Sequence, residues 1–309
     1  VPRPGEFGYE TWEDGSAEWS GDIGSWCCLS ADDELGIVYV PLGAPTSAYY
    51  GGHRPGDNLF ANSLLALDAE TGERIWHFQM IHHDLWEYDN ASPPILGDIT
   101  VNGRAIKAVM QANKNGFVYV FDRTNGEPVW PIIETSVPQS TVEGEATSAT
   151  QPIPTKPPAF DRQGISPDDL MDFTPELRNQ ALALIEDFTL GPLYTPPSPW
   201  VDGGNQGTLT VPDTWGTGNW NTGAFDPDTG MYFAVSYTNI GNLGIAPTTS
   251  SSATMTHGLS AEAAYAPKIQ GIPLIKPPYG RVTALNMNTG DLAWSVANGD
   301  GPRNHPLLR

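Results

Sequence analysis

Short apolar runs bounded by turn residues recur along most of the chain. Gly36-Ile37-Val38-Tyr39-Val40-Pro41, Ala105-Ile106-Lys107-Ala108-Val109-Met110 and Gly116-Phe117-Val118-Tyr119-Val120-Phe121 are rich in β-branched and aromatic residues. Runs of that length and composition predict strands. The turn Val101-Asn102-Gly103-Arg104 predicts a hairpin. One segment has a different period. From Pro175 to Phe188, Leu177, Ala181, Leu184, Ile185 and Phe188 fall at helical spacing with Pro near the start, which predicts one short helix.

The strand pattern is organised by a loose repeat. Leu67-Asp68-Ala69-Glu70-Thr71-Gly72-Glu73-Arg74-Ile75-Trp76 returns as Phe121-Asp122-Arg123-Thr124-Asn125-Gly126-Glu127-Pro128-Val129-Trp130. It returns again as Leu285-Asn286-Met287-Asn288-Thr289-Gly290-Asp291-Leu292-Ala293-Trp294. A variant at Phe225-Asp226-Pro227-Asp228-Thr229-Gly230 keeps the turn and loses the Trp. The Asp or Asn side chain is expected to cap the turn and the Gly to take a positive φ. The Trp is expected to reach back across its own hairpin and bury its ring. Turns recurring at positions 68, 122, 226 and 286 suit propeller blades of four antiparallel strands. Residues 133–200 and 240–280 interrupt the rhythm and read as inserted loop regions, which commonly cap a site or mediate contacts.

Composition narrows the function classes. The chain is 39% apolar with ten Trp, eleven Tyr and ten Phe, so it can form a core, and 33 Gly with 29 Pro supply the turns of an all-β fold. Fifteen basic against 36 acidic residues give a net charge of −21, which repels nucleic acid phosphates and anionic membranes. There is no run of 18 apolar residues to span a bilayer. The only two cysteines, Cys27 and Cys28, are adjacent. They suit a strained vicinal disulfide or two small buried thiols, but no zinc site and no covalent haem.

These repeats, with Gly24-Ser25-Trp26-Cys27-Cys28-Leu29-Ser30-Ala31-Asp32, Ile81-His82-His83-Asp84-Leu85-Trp86-Glu87-Tyr88-Asp89 and Asn113-Lys114-Asn115-Gly116, resemble the quinoprotein dehydrogenases. The glucose and quinate dehydrogenase branch is the nearer likeness, and methanol dehydrogenase is more distant. The resemblance implies a single partial β-propeller domain over 1–309, about half of an eight-bladed propeller, whose remaining blades have no counterpart in this stretch. It also implies pyrroloquinoline quinone (PQQ), a divalent cation (calcium), a sugar, polyol or other alcohol as substrate, a quinone or cytochrome electron acceptor, and a periplasmic setting.

Residue by residue, the resemblance makes Trp26 the flat floor for the quinone and Glu87 the general base, in place of the family's Asp and one methylene longer. Asp84 and Asp89 are rival carboxylates, and Glu87 is also a possible cation ligand. Lys114 becomes the cation beside the reactive carbonyl, and Asn219 and Trp220 become cofactor contacts. His53, Arg54 and Asp57 belong to a segment near the substrate mouth, with Arg suited to a carboxylate-bearing ligand. Cys27 and Cys28, directly after the stacking Trp, are expected to line the floor of the cofactor pocket. Ala44 stands where methanol-type enzymes place a cation-binding Asn. The competing reading is a non-catalytic propeller scaffold or binding protein. It gives no reason for Trp26, Glu87 and Lys114 to occur together.

Overall fold

The computed structural model describes residues 1–25, 28–263 and 266–308. The first blade is an antiparallel sheet of β1 (Ser30–Asp32), β2 (Ile37–Pro41), β3 (Ser63–Asp68) and β4 (Arg74–Gln79), in that order. The second contains β5 (Ile95–Val101), β6 (Arg104–Ala112) and β7 (Val118–Asp122). Its outer edge is a single bridge between Phe121 and Pro128. Proline offers no N–H, so around this bridge the edge is held by the Asp122 N to Glu127 O and Val129 N to Val120 O bonds.

The chain then leaves the blades. A hairpin of β8 (Ile132–Ser136) and β9 (Thr150–Pro154) precedes α1 (Pro175–Leu184), and β10 (Ser198–Pro199) and β11 (Thr208–Thr210) follow. The helix begins with Thr174 accepting from Leu177 N and ends in a 3₁₀ turn over Ile185–Asp187. The third blade starts with β12 (Ala224–Asp226) and β13 (Met231–Tyr237). A second excursion carries β14 (Gly241–Pro247), β15 (His257–Leu259), β16 (Lys268–Ile269) and β17 (Ile272–Pro273). The blade closes with β18 (Gly280–Asn286) and β19 (Asp291–Ala297). The two excursions share one sheet, because β14 pairs with β10, β11 and β15.

Period-two alternation divides the side chains of the middle blade between two cores. Val109, Tyr119 and Phe121 face the first blade and join Tyr39, Leu64 and Trp76. Ala108, Met110, Val118 and Val120 face the third and join Tyr232, Ala234 and Leu285. Burial on both faces explains why Val118-Tyr119-Val120-Phe121 is apolar throughout. The inner strand β5 adjoins β1 on one side and β12 on the other, as in a propeller.

The repeat turns have the expected caps. Asp68 Oδ1 accepts from Glu70 N and Thr71 N, Asp122 Oδ1 from Thr124 N, and Asn286 Oδ1 from Asn288 N. Two of the three tryptophans differ from expectation, whereas Trp294 lies against Phe233 of its own blade. Trp76 packs on Gly126, the turn glycine of the next repeat, and its indole N–H donates to Arg123 O at 3.1 Å. Trp130 packs on Gly290 in the same way. The physical reason is room. A Cβ on Gly126 would stand 2.7 Å from the Trp76 ring, whereas nothing lies within 4 Å of one on Gly72. Arg123 strengthens the same junction through ion pairs to Asp32 at 2.6 Å and Asp98 at 2.8 Å.

The first excursion is tied to the first blade by Glu145. Its carboxylate meets His83 Nε2 at 2.8 Å and accepts from Gly51 N at 2.5 Å. Burial pushes this carboxyl up, but His83, Gly51 N–H and Arg54 outweigh it and hold it below the usual range.

Two predictions follow from this packing. Gly72→Ala should cost about 1–2 kcal/mol through its left-handed backbone alone. Gly126→Ala should cost about 1–3 kcal/mol more by displacing the ring, and urea denaturation of both variants checks the difference. A depressed carboxyl stabilises the fold above its unfolded value of 4.5 and loses that contribution as pH falls through the lower folded value. Glu145→Gln should therefore flatten the acid side of the stability–pH curve, read by thermal unfolding below about pH 5.

Candidate active site

The repeat turns lie at one end of the blades. The β2–β3, β4–β5 and β6–β7 connections emerge at the other, together with the loop that enters β12. They enclose a cavity of about 580 Å³ lined by Asp22, Gly24, residues 43–49, Glu87, Asp89, Lys114, Thr214, Trp215 and Asn219.

Glu87 owes its place to buried neighbours. Asp84 Oδ1 accepts from Trp86 N at 2.8 Å, and its Oδ2 accepts from Tyr88 N and Asn62 Nδ2, both at 2.9 Å. Those bonds flank Glu87 and hold it at φ +60, a left-handed conformation unusual for a non-glycine residue. Trp86 and Tyr88 are buried, with the indole N–H on Thr195 O at 2.8 Å and the phenol on Pro212 O at 2.7 Å. With both neighbours anchored inward, Glu87 faces the cavity. Burial pushes the Asp84 carboxyl up to about 6, against the N–H of Trp86 and the charge of Arg54.

Lys114 reaches the cavity from the β6–β7 turn. Its Nζ donates to Asp89 Oδ2 at 2.6 Å, while Asp89 Oδ1 accepts from Ala44 N at 2.6 Å. The loop before β12 lies directly on the lysine stem. A Cβ at Gly216 would meet Lys114 Cβ at 2.5 Å, and φ +79 also favours glycine there. Asp213, in the same loop, is raised to about 6, first by burial, with the N–H of Trp215, the Asn239 amide and Lys114 opposing.

The structure thus brings Glu87, Lys114 and Asn219 together and leaves other expected site residues apart. Asn219 lines the cavity, but its amide organises its own loop, donating to Trp215 O at 2.9 Å and accepting from Trp220 N at 2.7 Å. Trp215, not Trp220, lines the cavity, and both rings are largely exposed, 70% and 65% respectively. His53 packs its ring on Tyr50, 5.4 Å between centroids, and accepts from Thr256 N. Asp57 is exposed, and its carbonyl accepts from His83 N and Gln79 Nε2.

Arg54 is fully buried and faces protein on every side. It donates to Thr46 O, Ser47 O, Asn58 Oδ1 at 2.7 Å and Asp84 O. Four of its five N–H groups are spent on protein, which leaves no pair for a bidentate ligand, so Arg54 acts as an internal clamp between the segment at 46–58 and Asp84. Trp26 and Cys27 lie outside the described residues, and Cys28 is exposed. Of the rival carboxylates, Asp84 is spent on the loop and Asp89 on Lys114. Tyr49 and Asp213 carry no motif that singles them out in the sequence.

Arg54→Ala should lower stability by about 3 kcal/mol or more, because it leaves the buried carbonyls of Thr46, Ser47 and Asp84 and the Asn58 amide oxygen without their donor. Denaturant unfolding checks this. A loss of ligand affinity with stability intact would instead place Arg54 at a ligand.

Comparison with known proteins gives the same architecture. A family model described as the β-propeller domain of PQQ-dependent glucose, ethanol and alcohol dehydrogenases matches residues 2–309. The chain is 30% identical to the quinoprotein glucose dehydrogenase of Escherichia coli (strain K12) over 87% of its own length and 35% of that protein's. It is 30% identical to the quinate/shikimate dehydrogenase (quinone) of Acinetobacter baylyi over 89% of its length and 36% of the relative's. Among solved structures, the quinohemoprotein alcohol dehydrogenase from Comamonas testosteroni superposes with a TM-score of 0.56 at 25% identity, covering 94% of this chain and 38% of that one. The chain therefore spans about a third of the length of the relatives it matches. On the family match, the relatives and the blade architecture together, this chain belongs to the PQQ-dependent glucose/ethanol/alcohol dehydrogenase family and forms part of its β-propeller domain.

Proposed function

We propose that this stretch supplies the catalytic face of a PQQ-dependent dehydrogenase that oxidises a CH–OH group of a sugar, polyol or other alcohol. The observation that carries the reading is the meeting of Glu87 and Lys114 at one cavity between blade loops. A planar quinone bearing carboxylates calls for a flat wall, a cation and polar contacts. The cavity offers the Trp215 indole and the Lys114 ammonium, with Asn219 on its wall, so these residues suit the cofactor.

When bound, PQQ supplies the acceptor for the substrate hydride. Glu87 takes the hydroxyl proton, so the alcohol leaves as a carbonyl compound. Lys114 stabilises negative charge that develops beside it, because a fixed cation in a half-enclosed site acts with little reorganisation. Asp89 fixes the ammonium on one side and is itself fixed by Ala44 N.

The divalent cation has no comparable seat here. A hard cation such as calcium takes about six to eight oxygens. Ala44 provides no side-chain oxygen, both Asp89 oxygens are engaged, and among the described residues no three His, Cys, Asp or Glu side chains converge on a metal position. A periplasmic location and a quinone or cytochrome acceptor accompany the reading as properties of the family. Among the described residues no helix is long and apolar enough to cross a membrane.

Glu87→Gln in the full-length protein should lower PQQ-dependent dye reduction by about 100-fold or more with sugars or alcohols, the usual scale for loss of a general base. PQQ binding should persist. An unchanged rate in this variant would remove Glu87 from the chemistry, and failure of the parent protein to bind PQQ would overturn the reading as a whole.

A further inference from the structure

Tyr49 lies on the wall of the same cavity, half-buried, on the loop between β2 and β3. Its phenol O–H donates to Glu87 Oε2 at 2.5 Å. Burial, then the hydrogen bond to Glu87, pushes the phenol above its ordinary range, so it stays a proton donor at neutral pH. Asp22, Asp89 and Lys114 line the same cavity, with Asp84 and Asp213 buried behind its wall.

Glu has one more rotatable bond than Asp, and its carboxylate therefore needs an external restraint to stay at a reactive position. We propose that Tyr49 is a positioning residue for the base: by holding Glu87 Oε2, it fixes the longer side chain and assigns Oε1 as the oxygen that receives the substrate proton. This inference rests on the reading of Glu87 as base. It adds a restraint made by two side chains on different loops of the first blade. A short bond between a neutral donor and a carboxylate is stronger than one between neutral partners, which suits such a restraint.

The test compares the full-length protein with Tyr49→Phe, Tyr49→Gln and Glu87→Gln, each loaded with PQQ, measuring dye reduction from acid to neutral pH and PQQ affinity by fluorescence quenching. Tyr49→Phe should bind PQQ and keep KM within about twofold while kcat falls about 10- to 100-fold, the scale of a misplaced reacting group. Tyr49→Gln, which keeps an N–H donor, should recover part of kcat. Wild-type kcat in Tyr49→Phe alongside an inactive Glu87→Gln would overturn the role of Tyr49 and leave the base in place. Equal losses in PQQ affinity and kcat, or no recovery in Tyr49→Gln, would make Tyr49 a wall of the pocket only. An active Glu87→Gln would overturn both readings.

Discussion

The seating of a tryptophan ring on the turn glycine of the following blade is the contact on which the rest depends. Trp76 on Gly126 and Trp130 on Gly290 fix successive blades at one end. The loops that enclose the cavity all emerge from the other end. A large flat ring against a residue without a side chain gives close contact and little tolerance, because an added methyl group has nowhere to go. The Arg123 ion pairs to Asp32 and Asp98 add a polar fastening to the first of these junctions.

At the cavity end, polar burial replaces apolar packing as the means of precision. Asp84 gives up solvent to hold Trp86 N, Tyr88 N and the Asn62 amide, and its raised carboxyl measures that cost. Arg54 offsets part of it from the neighbouring segment while holding that segment's carbonyls. The result is an over-determined loop that presents Glu87 to the cavity. Lys114 is fixed by the same logic, between Asp89 and the close approach of Gly216.

Much of this was legible in the sequence. The turn glycines, their Asp or Asn caps, the unbroken apolar run of β7 and the helix from Pro175 follow from local rules. Glu87 and Lys114 were legible through resemblance, because each sits in a motif. The direction of the tryptophans was not, since a repeat gives the spacing of a ring but not which neighbour leaves room for it. In the sequence Arg54 reads as a ligand contact, because its burial and its protein partners are properties of the folded segment. Trp220 and Trp215 are indistinguishable in a Gly-rich loop until its course is known. Tyr49 and Asp213 are invisible for the same reason, as their partners come from distant loops.

The central claim is that Glu87 and Lys114 face one ligand across one cavity. A crystal structure of the full-length protein with PQQ tests it most directly. The account predicts quinone density in the cavity formed by residues 43–49, Glu87, Lys114 and Trp215, with the ring system between the carboxylate and the ammonium. Density elsewhere in the propeller, with Glu87 and Lys114 unchanged and out of contact, would contradict it.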